Sequence, residues 1–222
     1  MTRSSSPSLL ALLLAGCGAT TVQSLDGTTP LTRGALGPFS ATLTLLPREG
    51  RSVDDCRARL NAGRSRDTLA EYRVISDAHI GWIRLHRNST EASGVVSRPG
   101  ATVTRFDAPV VIDNAQAITG QEVVYLVLSP LPWFRPRGLV ERRMVARAPE
   151  YLGLPGLARK YFVLASEARV GGLYLWRDEA SARAYFDDAW RARVAERYGR
   201  APEITRFDVL DVDAAPSFSP GP

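Results

Sequence analysis

From Glu122 to Val212 the sequence switches between strand-like and helix-like hydrophobic spacing in a fixed order, and that order constrains the fold more than any other feature of the chain. Glu122 to Ser129 is a β-rich run. After Pro130, Pro132 and Pro136, the segment Arg137 to Ala148 presents Val140, Met144 and Ala148 at helical spacing, and Pro149 with Pro155-Gly156 stops it. Leu157 to Ser166 and Gly171 to Trp176 alternate as two strands around a polar turn at Glu167 to Arg169. Asp178 then caps one long helix with Glu179 in its first turn. Its expected buried stripe is Ala182, Tyr185, Phe186, Ala189, Trp190 and Val194, with Arg183, Asp187, Arg191 and Glu196 facing water. Gly199 and Pro202 end it, and Glu203 to Val212 alternates as a last strand. The order β-α-β-β-α-β predicts an α+β, ferredoxin-like antiparallel sheet over residues 119–213, with both helices on one face.

Residues 39–118 read as a smaller α+β region. Phe39 to Leu46 alternates as a strand, and Ser52 starts a short helix over Val53 to Leu60 with Asp54 and Asp55 in its first turn. Tyr72 to Ile75 and His79 to His86 are two strands joined by Ser76-Asp77-Ala78, and Thr102 to Ile112 is another. Residues 88–100, which include Asn88-Ser89-Thr90, read as loop. Residues 17–38 and 214–222 are rich in Thr, Gly, Ser and Pro without periodicity, as expected of a flexible tether and a disordered tail.

The N-terminus has the order of an export signal. Arg3 precedes the apolar run Leu9 to Leu14, and Leu14-Ala15-Gly16-Cys17 fits a lipobox, with small residues before a cysteine that takes the lipid. Residues 1–16 are therefore expected to be removed and Cys17 to be acylated, and long acyl chains anchor firmly at about 0.8 kcal/mol per buried methylene. Gly18 rather than Asp after the cysteine matches sorting to a Gram-negative outer membrane facing the periplasm. Lipidation of Cys17 would leave Cys56 without an intrachain partner. The net charge of +5 does not signal nucleic acid, because the arginines are interleaved with Asp and Glu, and Lys160 is the only lysine.

A set of short runs in the second half resembles a known family. Pro155-Gly156-Leu157, Lys160-Tyr161-Phe162, Gly171-Gly172-Leu173-Tyr174-Leu175-Trp176, Ser181-Ala182 with Tyr185, and Phe207-Asp208-Val209 are similar to the YdhR-type monooxygenases. These belong to the dimeric α/β-barrel superfamily, and the likeness covers roughly residues 122 to 213. The resemblance implies that the sheet face away from the helices packs on a second sheet, with room between for a small, often aromatic, molecule and with no metal or flavin. Either a second copy or the first half of the same chain could supply that cover. Val103-Thr104-Arg105-Phe106-Asp107 echoes Ile204-Thr205-Arg206-Phe207-Asp208, which raises the possibility of two degenerate copies of one unit.

Cofactor-independent oxygenases need a pocket and a group that takes or steers a proton. The second half has neither His nor Cys. Strand alternation puts Tyr174 and Trp176 opposite Leu173 and Leu175. With the leucines assigned to the helix side, the aromatics face the expected cavity, joined by Lys160 and Phe162 and by Tyr125. Lys160 and Tyr174 are the candidate catalytic groups and polar handles. Aromatics on a sheet face are more often core or dimer interface, which keeps a non-catalytic binding or assembly lipoprotein as the alternative. His79 and His86 fall on opposite strand faces, so no metal site is expected from them. Trp82 and Trp133 read as packing or lip residues.

Overall fold

The computed structural model describes residues 21–23, 30–32, 39–61, 68–86, 92, 99–114, 119, 121–131, 134–166 and 168–214. The lipobox with Cys17, Asn88-Ser89-Thr90, Trp133 and residues 215–222 lie outside them. Strands β1 (Thr21–Gln23) and β2 (Pro30–Thr32) lie within the stretch expected to be a structureless tether. They pair with each other, and β1 pairs in parallel with Val110 to Ile112.

The first half continues with β3 (Phe39–Pro47), α1 (Val53–Asn61), β4 (Ala70–Ile75), β5 (His79–His86) and β6 (Thr102–Asp113). The second half runs β7 (Val123–Pro130), α2 (Arg137–Arg147), a 3-10 turn (Ala148–Tyr151), β8 (Leu157–Ala165), β9 (Arg169–Trp176), α3 (Glu179–Tyr185), α4 (Asp188–Tyr198) and β10 (Glu203–Ala214). Each half arranges its strands in the ferredoxin-like order, β6-β3-β5-β4 and β10-β7-β9-β8. Antiparallel pairing of β10 with β4 and of β6 with β8 joins the halves at both edges. Eight strands thus close into a barrel within one chain and leave no open edge among themselves.

The single long helix expected after Asp178 is two. Phe186 leaves helical geometry with ψ 43°, and Asp187 accepts a hydrogen bond from the Trp190 backbone N–H at 2.6 Å, capping α4. The break swings Ala189 out to solvent while Phe186 and Trp190 stay buried. Gly199 ends α4 at φ 79°, a conformation that favours glycine.

Alternation along the strands separates three apolar layers. The barrel interior takes Ala41 and Leu43, Tyr72 and Val74, Ile83 and Leu85, Phe106, Val124 and Leu126, Tyr161 and Val163, Leu173 and Leu175, and Phe207. Outside the second half, Tyr125, Phe162, Tyr174 and Trp176 pack against Val140 and Met144 of α2 and against Ala182, Phe186 and Trp190. Outside the first half, Ile75, Ile80 and Trp82 pack against Cys56 and Leu60 of α1. No helix among the described residues is long and apolar enough to cross a membrane.

Candidate functional site

The strand alternation groups Tyr125, Lys160, Phe162, Tyr174 and Trp176 on one face, and they do share one. That face lies under the helices, whereas Leu173 and Leu175 point into the barrel, the reverse of the expected assignment. The reason is volume. The interior of an eight-stranded barrel is just wide enough to be filled by side chains, and here the aliphatics of both halves fill much of it. The rings of Tyr72, Tyr161, Phe106 and Phe207 take the rest of it, and those of Tyr125, Phe162, Tyr174 and Trp176 go to the gap between sheet and helices, where helical side chains meet them. What remains of the expected cavity between the two sheets is a recess of about 160 Å³ at one mouth, bordered by Leu43, Leu126, Thr104, Thr205 and the Arg169–Glu203 ion pair.

A larger pocket, about 380 Å³, lies between β8–β9 and the helices. Lys160, Phe162, Gly172 and Tyr174 form its floor, Met144, Tyr151, Trp190 and Val194 its walls, and Arg135, Arg143, Arg147 and Arg197 line it as well. Of the expected pocket residues it therefore brings together Lys160, Phe162 and Tyr174. Tyr125 and Trp176 sit deeper in the aromatic core. Tyr125 stacks on Phe186 at 5.0 Å and donates to Glu179 at 2.9 Å, and Trp176 stacks on Tyr174 at 6.4 Å.

Lys160 is the chemically distinctive group. It is only 1% exposed, and its Nζ lies 3.0 Å from the ring centroid of Tyr151, 3.8 Å from Phe162 and 4.6 Å from Tyr174. No carboxylate forms an ion pair with it among the described residues. Burial first, and then the Arg147 charge, push its pKa well below the usual lysine range, with Glu150 opposing. The ring faces favour the ammonium, at about 2 kcal/mol for a desolvated cation–π contact. Burial pushes the Tyr174 phenol well above its ordinary range, so it stays protonated. Lys160 is thus a proton donor or acceptor and Tyr174 a donor.

Several parts of this site were not named from the sequence. Tyr151 reaches it from the 3-10 turn, which Asn114 pins by donating to the Tyr151 and Leu157 carbonyls at 3.1 and 2.8 Å while accepting from Gly153 N–H at 3.2 Å. Arg143 and Arg147 stand four apart on α2, beside the Met144–Ala148 pair, and Arg147 is held by Glu150 at 2.8 Å. The two glycines serve different ends. A Cβ on Gly171 would run into the Val127 carbonyl oxygen, so that glycine permits close strand approach. A Cβ on Gly172 would meet the Tyr174 ring at 2.7 Å and Lys160 Cε at 3.2 Å, so its absence keeps the floor open.

Compared by sequence, the chain matches no family profile and no curated protein. Solved structures do match. A candidate monooxygenase of Fusobacterium nucleatum superposes with TM-score 0.56 at 10% identity, covering 80% of this chain and 94% of that one. The fold is that of the ferredoxin-like monooxygenases. A candidate monooxygenase of Lactobacillus acidophilus gives TM-score 0.54 at 10% identity, covering 80% and 96%. An anthrone oxidase-like protein gives 0.51 at 14%, covering 81% and 94%. Such coverage spans both halves of the chain, wider than the resemblance over residues 122 to 213.

Proposed function

We propose that this chain is a lipid-anchored envelope protein whose monooxygenase-like barrel binds a small, flat, largely apolar molecule in the pocket beneath the helices of its second half. The observation that carries the reading is a buried amine, Lys160, aimed into an aromatic-walled cavity of about 380 Å³, a size in the usual range for small-molecule sites. Phe162 and Tyr174 offer ring faces to a planar guest, and Lys160 is its polar handle. The likeness to a protein described as anthrone oxidase-like agrees with an aromatic guest. The lipobox around Cys17 supports the anchor and an outer-membrane location facing the periplasm.

Binding without turnover is the form of this function that the pocket favours. No Asp, Glu or His lines it among the described residues, so Lys160 has no acid–base partner of the kind that proton transfer to oxygen chemistry uses. A panel of quinols and phenols tests both forms. Ligands that raise the melting temperature without oxygen uptake identify a binder, and uptake abolished by Lys160→Met identifies an oxygenase. Absence of any stabilising ligand across the panel would overturn the reading. The anchor is tested by labelling with radioactive palmitate, which Cys17→Ser should abolish along with recovery of the protein in the membrane fraction.

A further inference from the structure

The two halves carry opposite charge arrangements at equivalent positions. Lys160 faces Tyr174 across the β8–β9 ladder just as Glu71 faces Arg84 across β4–β5. Phe162 and Arg73 correspond in the same way, opposite Gly172 and Trp82. In the first half the buried carboxylate of Glu71 accepts from Arg84 Nε at 2.7 Å and lies 3.4 Å from Arg73, so the charges there are matched internally. In the second half the corresponding group is the buried amine of Lys160, which has no ion-pair partner among the described residues.

The surroundings add to the imbalance. Among the described residues, Arg135, Arg143 and Arg197 line the pocket and form no ion pair or hydrogen bond, and no Asp or Glu lines it. Burying an ionised group is costly unless a counter-charge or hydrogen bonds accompany it. A site that encloses one amine, adds three uncommitted guanidinium groups and excludes acids is complementary to an anion.

Resting on the pocket reading above, we propose that the ligand is an organic acid: an apolar, ring-containing body carrying an anionic oxygen group that pairs with Lys160, drawn in by Arg135, Arg143 and Arg197. The anion supplies the counter-charge that the fold omits, while the rings of Tyr151, Phe162 and Tyr174 hold the body. Lys160 binds and orients the ligand in this assignment, and no covalent step is needed.

Two fluorescent probes with the same ring skeleton separate this proposal from the pocket reading on which it rests. Anilinonaphthalenesulfonate carries an anionic group, and N-phenylnaphthylamine lacks it. With the full chain, the sulfonate is expected to bind at least ~10-fold more tightly than the neutral amine, with an affinity that falls as salt rises. Lys160→Met should erase that preference, with an unchanged near-ultraviolet circular dichroism spectrum showing that the fold is still formed. The triple substitution Arg135→Gln, Arg143→Gln, Arg197→Gln should flatten the salt dependence. Equal binding of both probes to the unmodified chain would overturn the anionic assignment and leave the pocket standing. Equal loss of both probes in Lys160→Met would make Lys160 a packing group and overturn it too. Failure of both probes to bind the unmodified chain would take the pocket reading down with it.

Discussion

A methyl group at Gly171 would collide with the Val127 carbonyl oxygen, and one at Gly81 with the Thr44 carbonyl oxygen. Because the obstacle is backbone in both cases, Gly171→Ala and Gly81→Ala should each cost about 3 kcal/mol, at the upper end for overpacking, read by urea denaturation. Gly138, near the start of α2 with open space where its Cβ would be, is the contrast: Gly138→Ala should be neutral or stabilise by up to about 1 kcal/mol. Lys160 gives a pH-dependent counterpart. Its surroundings include Arg147, Glu150, Tyr151 and Tyr174, and burial with Arg147 lowers its pKa in the folded chain. The unfolded chain therefore holds the proton more tightly, and folding at neutral pH bears the cost of a disfavoured ammonium. That cost shrinks as pH rises through the folded pKa and is gone above the unfolded value of about 10.4. Lys160→Met should accordingly melt higher than the unmodified chain at neutral pH, with the gap closing under alkaline conditions in a series of thermal scans.

Among the elements, the least regular ones shape the site. The 3-10 turn carries Tyr151 over Lys160, and Asn114 bonds three backbone groups that fix it. Asn114→Ala removes three hydrogen bonds at this turn and leaves the Tyr151 carbonyl only the Leu154 N–H at 3.4 Å, so a loss of about 2 kcal/mol is expected, together with faster amide exchange over residues 151–157. The junction between α3 and α4 is set by Asp187, and Asp187→Ala should lower stability by about 1 kcal/mol as a lost cap. Most strands were legible because apolar and polar residues alternate or run continuously between turn residues. The helix break was not, since Phe186 and Trp190 keep helical spacing across it and only the side-chain cap of Asp187 diverts the backbone. β1 and β2 were missed because three-residue strands are too short for any period to register.

For the molecule as a whole, closure within one chain relates its two halves by an approximate twofold. Leu45 pairs with Gly81 as Leu128 pairs with Gly171, and Tyr72 pairs with Ile83 as Tyr161 pairs with Leu173. The hydroxyls of Tyr72 and Tyr161 meet at 3.3 Å inside the barrel. The echoing segments place Phe106 and Phe207 in that interior, and β6 and β10 each carry one extra residue just past the echo. Both sheet faces are already covered, one by the other half and one by helices. The lipid-free chain should therefore sediment with the mass of a single copy, and a stable dimer would show that the barrel has another face to protect.

The sequence by itself determined the strand and helix order of the second half and the grouping of Tyr125, Lys160, Phe162, Tyr174 and Trp176 on one strand face. Both follow from local period and the alternation of Cβ directions, which a single segment expresses without any partner. Which way that face points was decided only by tertiary structure. An alternating strand defines two sides but does not label them, and the label comes from the volume available: a narrow barrel interior already filled by aliphatic and aromatic side chains of both halves, and a further space under α2 and α4 that takes Phe162, Tyr174 and Trp176. The same closure brought Arg143, Arg147, Tyr151 and Trp190, which no strand period could have associated with Lys160, to the walls of its pocket.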